Sequence, residues 1–378
     1  MQVYLDHNAT TPPAPAVVDA MLPFLRERWA NPASLHRAGA SLRRDLDAAR
    51  RQTAGLLGAD PAEIVFTSGA TESNNQAIAG AWEAAGRALR IITTTVEHPS
   101  VRNPCHHLRD LGATVVEIPV DRGGALDLEA LRRALAAGPA LVTIMAANNE
   151  TGVIFPLAEI AAATQAAGAL MHTDAVQMAG RLPIDLRALR VDLLSLSAHK
   201  FGGPKGVGAL FRRRGTRLEP LLRGGAQEGG LRGGTANVPG IVGMGLACAL
   251  AQEHLGAMGT RVRALRDQLE AGLLARCPDA IVHGAGNRLP NTLNIRFGGV
   301  EGESLLYRLD DAGIAASSGA ACSSGTMAPS AVLLAMGVPA PEAARAIRFS
   351  LGLENTAAEI AYTIEQTASL VATLRRRR

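Results

Sequence analysis

Between Glu63 and Arg213 seven short apolar runs alternate with longer helix-like stretches, and this alternation constrains the fold more than any other feature of the chain. In order they read EIVFTSG, RIITTTV, TVVEIPV, ALVTIMAA, ALMHTDA, DLLSLSA and VGALFRR, separated mostly by about ten to twenty residues. A gap of that length is what a crossover helix needs, and helical crossovers produce a mostly parallel sheet covered on both faces. Ahead of the first run, Leu35, Ala38, Leu42, Leu46, Ala49 and Leu56 recur at helical spacing between arginines and predict an amphipathic helix from Ser34 to Leu57. After the last run, a helical pattern from Pro239 to about Arg276 leads to a remainder with strands of its own, NTLNIRF and AIRFSLG. The expected fold is α/β, with a large domain over 15–255 and a smaller α/β domain formed by 1–14 together with 256–378.

Composition agrees with this and removes several functional classes. The chain has 378 residues, 47% apolar and 19% charged, with 40 Gly and 20 Pro, the profile of a globular α/β protein with many turns. Its formal charge is only +4 and aromatics are 3%, so a basic face interleaved with stacking rings is not available and nucleic acid is not an expected partner. Cys105, Cys248, Cys277 and Cys322 are far apart, without paired or zinc-like spacing, so neither a disulfide framework nor a metal site is expected. The start MQVYLDHNATT has no basic segment followed by an apolar one, and no stretch approaches about 20 uninterrupted apolar residues. The expectation is a cytoplasmic protein with no membrane association and reduced thiols.

In parallel sheets ligands bind at the carboxyl ends of the strands, and here those positions are polar: SGATESNN, EHPS, NNETG, TDAVQ and SAHK. Lysine occurs only at Lys200 and Lys205, every other strong cation being Arg. Lys200 directly follows the run DLLSLS. An amine can form an imine with an aldehyde and a guanidinium cannot, so a lysine at that position points to pyridoxal 5′-phosphate. That cofactor also needs a carboxylate for its ring nitrogen and amides for its phosphate. Asp174 fits the first need, Gln177 is placed to reach the phenolic oxygen, and Gly69, Ala70 and Thr71 open a helix after a strand, an anion site in form.

Taken together, YLDHNATT, NPASLH, FTSGATESNN, EHPSV, NNETG, HTDAVQ, SAHKFGGPKG, RGGTAN, PNTLN, SSGAACSSG and IRFSLG closely resemble cysteine desulfurases of the NifS and IscS type over nearly the whole chain. These enzymes are members of the class V aminotransferases with the fold type I architecture of pyridoxal phosphate enzymes. The resemblance implies that Lys200 carries the cofactor and that Ala70, Thr71, Ser197 and His199 bind its phosphate, with Thr235 reaching over from the second subunit of a homodimer. It further implies that His98 stacks on the ring and moves protons, that Asn149 contacts the cofactor, and that Asn149 and Arg348 hold the substrate carboxylate. Cys322 lies among Ser, Gly and Ala residues too small to anchor a core, which suits a mobile nucleophilic thiol. The implied reaction removes sulfur from L-cysteine, with Lys200 or His98 taking the α-proton, and gives L-alanine and a persulfide on Cys322. That sulfur would pass to an iron–sulfur scaffold or another acceptor protein. A selenocysteine lyase and another fold type I aminotransferase are the alternatives. His7 and His36 belong to the resembling motifs without a chemical role of their own.

Overall fold

The computed structural model describes residues 1–318 and 328–376. Its strands, in chain order, are β1 (Val3–Tyr4), β2 (Ile64–Thr67), β3 (Arg90–Thr94), β4 (Val115–Ile118), β5 (Ala140–Thr143), β6 (Leu170–Asp174), β7 (Leu193–Ser197), β8 (Gly208–Arg212), β9 (Ile281–His283), β10 (Thr292–Arg296), β11 (Ile314–Ala315) and β12 (Ala346–Ser350). All seven apolar runs fall in one seven-stranded sheet ordered β2-β8-β7-β6-β5-β3-β4. It is parallel except for β8, which is antiparallel to both of its neighbours. The exception follows from chain length: β8 returns from β7 by a short turn too tight for a crossover helix.

Helices α1 (Pro15–Arg26), α2 (Arg37–Leu57), α3 (Ala70–Ala84), α4 (Pro99–Asp110), α5 (Leu128–Leu135), α6 (Leu157–Ala166) and α7 (Val238–Ala257) flank this sheet. Successive strand residues point to opposite faces, and two cores result. Phe66, Ile92, Val142, Leu194 and Phe211 pack with Phe24, Leu42, Leu131, Ile160 and Met244 of α1, α2, α5, α6 and α7. Val65, Ile91, Leu141, Leu193 and Leu210 pack instead with Ile78 and Trp82 of α3 and Val101 and Leu108 of α4. Strands β2, β5 and β7 are buried at every position, which is why they read as unbroken apolar runs rather than alternating ones.

A third core gathers Val3, Leu5, Leu269, Leu273, Leu293, Phe297, Leu309, Ile314, Phe349, Ile360 and Val371. It contains the antiparallel sheet β12-β10-β9 and the parallel pair β1-β11. The first residues of the chain therefore pack with its last third.

Two boundaries differ from the periodicity. The helix expected from Ser34 starts at Arg37, because His36 caps it by accepting from the Gly39 amide at 3.2 Å, and Leu35 is left 93% exposed. The helical pattern ending at Arg276 is divided by a π-helical turn, Met258–Val262, into α7 and α8 (Arg263–Arg276). By length and hydropathy the continuous stretch Val238–Arg276 meets the criteria for a membrane span, yet Ile241, Met244, Ala247, Cys248 and Ala251 of α7 are spent on protein contacts in the core.

Candidate active site

At the carboxyl ends of the large sheet lies a cavity of about 1110 Å³. Its lining brings together Ala70, Thr71, His98, Asn149, Asp174, Gln177, Ser197, His199, Lys200 and Arg348, ten of the residues singled out in the sequence. Thr235 is exposed and stands outside this lining. Cys322 lies outside the described residues.

The sheet places most of these groups directly. Strand β6 ends on Asp174, 7% exposed. One of its oxygens accepts from the Val176 amide at 3.0 Å and the other from Asn74 Nδ2 at 2.7 Å. Strand β7 ends on Ser197, and the one-turn 3-10 segment Ala198–Lys200 carries the lysine past the strand end. Between β2 and α3, Gly69 has a φ of 154°, a backbone state that glycine adopts far more readily than other residues. A Cβ on Gly208 would stand 2.7 Å from Gly69 Cα, so β8 crosses this turn only as glycine. No side chain caps the helix that begins at Ala70, and its first amides are left for an anion.

The Lys200 amine donates to the carbonyls of Asn8 at 2.6 Å and Ala9 at 2.8 Å. Burial, reinforced by the nearby Arg181 and Arg348, pushes its pKa down to about 8 although Asp174 and Asp6 oppose the shift. Such a group is a usable base near neutral pH. Burial is also the largest cause holding His98 below the usual imidazole range; Asp174 opposes it, and Lys200 and Arg102 add to it. His199 is brought down to about 4 by burial and by Lys200, Lys205 and Arg181, and its Nδ1 lies 3.1 Å from Thr10 Oγ1.

The opposite wall holds Arg348 on β12. Its Nη1 donates to the Asn149 carbonyl at 3.1 Å, its Nη2 to Asp6 Oδ1 at 2.7 Å, and its buried Nε–H has no partner among the described residues. A planar guanidinium anchored on one side with a free N–H on another is suited to a carboxylate. Gln177 is more heavily engaged than expected. Its Nε2 donates to the Asn8 carbonyl at 3.0 Å and its Oε1 accepts from Arg181.

Several residues here were not singled out by the sequence. Asn8 bridges the two walls, its Nδ2 donating to Thr292 Oγ1 and the Asn149 carbonyl while its own carbonyl receives Lys200 and Gln177. Arg181, fully enclosed, donates to the His7, Gln177 and Lys200 carbonyls. Asp6 pairs with Arg348. The motif YLDHNATT marked this segment, but no spacing in it reveals partners more than 140 residues away. Glu97 is buried, accepts from Thr94 Oγ1 and the Met145 amide, and is raised by burial to about 8. His7, lowered to about 4 by burial and Arg181, is a neutral packing residue.

Cys105, Cys248 and Cys277 are buried and unpaired. Burial pushes the thiols of Cys105 and Cys248 up to about 12 and also raises that of Cys277, so none of the three offers thiolate at neutral pH. Among the described residues no group of three His, Cys, Asp or Glu side chains is placed to hold a metal ion.

Comparison with known proteins places this cavity in context. The pattern of the family described as aminotransferase class-V matches residues 3–362. A cysteine desulfurase of Gluconacetobacter diazotrophicus is 52% identical over 99% of this chain and 94% of its own length. The cysteine desulfurase NifS of Azotobacter vinelandii is 48% identical over 99% of this chain and 93% of its own. Among solved structures, a NifS-like protein superimposes with a TM-score of 0.92 at 39% identity, covering 99% of this chain and 100% of that one. SspA, whose structure is described as in complex with cysteine, gives 0.83 at 34% identity over 93% and 99%. A family match across nearly the whole chain, with relatives of about half identity along their full length, establishes that the chain belongs to the aminotransferase class-V family, among its cysteine desulfurases.

Proposed function

We propose that the protein is a pyridoxal 5′-phosphate-dependent cysteine desulfurase, converting L-cysteine to L-alanine and retaining the sulfur as a persulfide on Cys322. The observation that carries this reading is one cavity holding the Lys200 amine, the buried Asp174 carboxylate and the partly free Arg348 guanidinium. The residues fit the cofactor. Asp174 accepts from two protein donors and keeps lone pairs for a ring N–H. The uncapped amides at Ala70 and Thr71, with Ser197 and His199, suit the phosphate. Bound there, pyridoxal phosphate would supply an electron sink for charge developing at the substrate α-carbon.

The protein's own groups do the rest. Arg348 and Asn149 hold the α-carboxylate and so fix the α-carbon relative to Lys200, whose neutral amine accepts the α-proton. Gln177 and His98 border the cofactor. Cys322, as thiolate, attacks the substrate sulfur; a sulfur–sulfur bond forms as the carbon–sulfur bond breaks. The carbon then gains a proton, alanine leaves, and the persulfide remains for exchange with an acceptor thiol. The insulated thiols of Cys105, Cys248 and Cys277 support Cys322 as the acceptor.

Further parts of this reading concern the assembly. The exposed, off-cavity position of Thr235 suits a contribution to the phosphate site of a second copy in a homodimer. The segregation of Val3 and Leu5 into the core shared with the last third of the chain, together with the π turn beginning at Met258, supports a large domain over 15–255 and a small one from 1–14 and 256–378. Buried free thiols suit a reducing, cytoplasmic setting, with an iron–sulfur scaffold or another sulfur carrier as recipient.

The test is turnover of L-cysteine by the cofactor-loaded protein without a keto acid. Equal amounts of alanine and reductant-released sulfide are expected. A requirement for a keto acid acceptor would make it an aminotransferase, and a strong preference for selenocysteine a selenocysteine lyase. Sedimentation of the active species as a monomer would remove the role given to Thr235.

A further inference from the structure

His98 caps α4, and the groups around its ring determine where its proton sits. The deduction starts at Asp174. Its Oδ2 lies 2.7 Å from Asn74 Nδ2, and an ionised carboxylate only accepts, so the Asn74 amide is oriented with its NH2 toward Asp174. The same nitrogen lies 2.9 Å from Ser100 Oγ. Ser100 Oγ therefore accepts from Asn74, and its single proton is free to go elsewhere. The neighbour is His98 Nδ1, 2.7 Å away. A second donor reaches that nitrogen, the Ser100 backbone N–H at 3.1 Å, and a backbone N–H can only donate. Nδ1 thus faces two donors and carries a lone pair. Asn74 is fully buried and Ser100, at the cavity edge, is 8% exposed, so the Asn74 amide finds its partners within the protein.

From this geometry we propose that the line Asp174–Asn74–Ser100 locks His98 as the neutral tautomer protonated on Nε2, making it a hydrogen-bond donor in the cavity and leaving Lys200 as the group that takes the α-proton. A base needs a lone pair facing the substrate. Here the imidazole lone pair is held at Nδ1 by α4, which leaves Nε2, with its hydrogen, as the other ring nitrogen of a residue that lines the cavity. Burial is the first of the causes that hold the ring below its ordinary range, with Asp174 opposing it. Lys200, with no such lock, has an amine that loses its proton near neutral pH. Asn74 and Ser100 touch neither substrate nor cofactor in this scheme; they are positioning residues. The assignment of roles to Lys200 and His98 rests on the desulfurase reading, whereas the tautomer does not.

The experiment labels the protein with [15N]histidine and records two-bond 1H–15N correlations on both the cofactor-free and the loaded chain, with His98→Gln identifying the His98 signals. The expected pattern is an unprotonated Nδ1 and a protonated Nε2 at neutral pH, with Ser100→Ala, which leaves Nδ1 only the longer 3.1 Å backbone donor, admitting a measurable share of the other tautomer and Ser100→Thr restoring the single form. An Nδ1-protonated ring, an imidazolium, or a Ser100→Ala spectrum identical to the parent would overturn the lock. Because the cofactor-free spectrum needs no substrate, its outcome is independent of whether L-cysteine is turned over. For the roles, exchange of the α-hydrogen of cysteine with deuterated solvent is followed in loaded His98→Gln. Exchange retained within about ten-fold is expected, since loss of the general base itself would cost on the order of 10² to 10⁴. A loss of that larger size in His98→Gln would return the base role to His98.

Discussion

Lys200 and Asp174 are carried to the cavity by the backbone of one sheet, Asp174 as the last residue of β6 and Lys200 one short turn past β7, whereas Arg348 is anchored in the same cavity by pairing with Asp6, 342 positions distant in the chain. On the sheet wall the backbone places each functional residue locally, as strand, turn and residue, although the side chains of Lys200 and Asp174 also bond to Asn8, Ala9 and Asn74. The facing wall is made of long-range ones, in which the N-terminal turn, the Asn149 carbonyl and β12 are tied by hydrogen bonds among Asn8, Thr292, Asn149 and Arg348. The contrast assigns different tasks. Under the proposed function the sheet wall holds cofactor chemistry in a fixed frame, while the facing wall recognises the substrate carboxylate and should weaken without disturbing that frame.

The sharpest way to break this division is Lys200→Ala. Pyridoxal phosphate should no longer be retained covalently after borohydride reduction, and alanine production should fall by about 10³-fold or more, while the far-ultraviolet spectrum of the fold stays unchanged. Covalent retention in that variant would move the attachment elsewhere, with Lys205 the remaining lysine. Cys322→Ser should keep the cofactor but form no persulfide on the peptide containing position 322, because a hydroxyl is not ionised at neutral pH. Alanine release near the parent rate would place the nucleophile at another thiol.

On the opposite wall, Arg348→Lys replaces a planar fork by a point charge. Loss of charge-assisted hydrogen bonds of about 1.5–3 kcal/mol should raise KM for cysteine by roughly 10- to 100-fold, with cofactor retention intact. Asp6→Ala should act in the same direction but less, roughly ten-fold at most, since it removes only the anchor of the guanidinium. If Asp6→Ala instead released the cofactor, the two walls would not be separable. The smallest effect is spectroscopic. In the cofactor-free chain, with only two lysines, the Lys200 amine should titrate near about 8 because burial disfavours its charged form. Its neutral fraction then rises from roughly a tenth at pH 7 to roughly nine-tenths at pH 9. Titration at the ordinary lysine value would contradict the burial seen here.

The same division explains what was legible in advance. Lys200, Asp174, Ala70 and Thr71 were accessible to a reader of the sequence because the apolar runs locate the strands and the ligand positions follow them directly. Arg348 and His98 were assigned by resemblance alone, since nothing near Arg348 in the chain distinguishes it from the other arginines. Asp6, Asn8, Arg181, Asn74 and Ser100 received no role at all. Each acts through a partner remote in sequence or through the direction of a hydrogen bond, and neither property leaves a local pattern. The helix start misjudged at Ser34 is a smaller case of the same kind: Leu35 keeps the apolar period, but the histidine after it caps the helix and leaves the leucine in solvent.

The sheet, its two-sided burial and the strand ends on which chemistry is mounted are written locally in the chain, because side-chain alternation and turn spacing act over a few residues and survive as a readable period. Tertiary structure alone decided the direction in which Asn74 and Ser100 pass their hydrogens to His98, the anchoring of Arg348 by Asp6, and the lowering of the Lys200 amine. Those depend on distances between distant segments and on how much water the folded chain excludes, quantities that come into being only when the separate cores pack around the cavity.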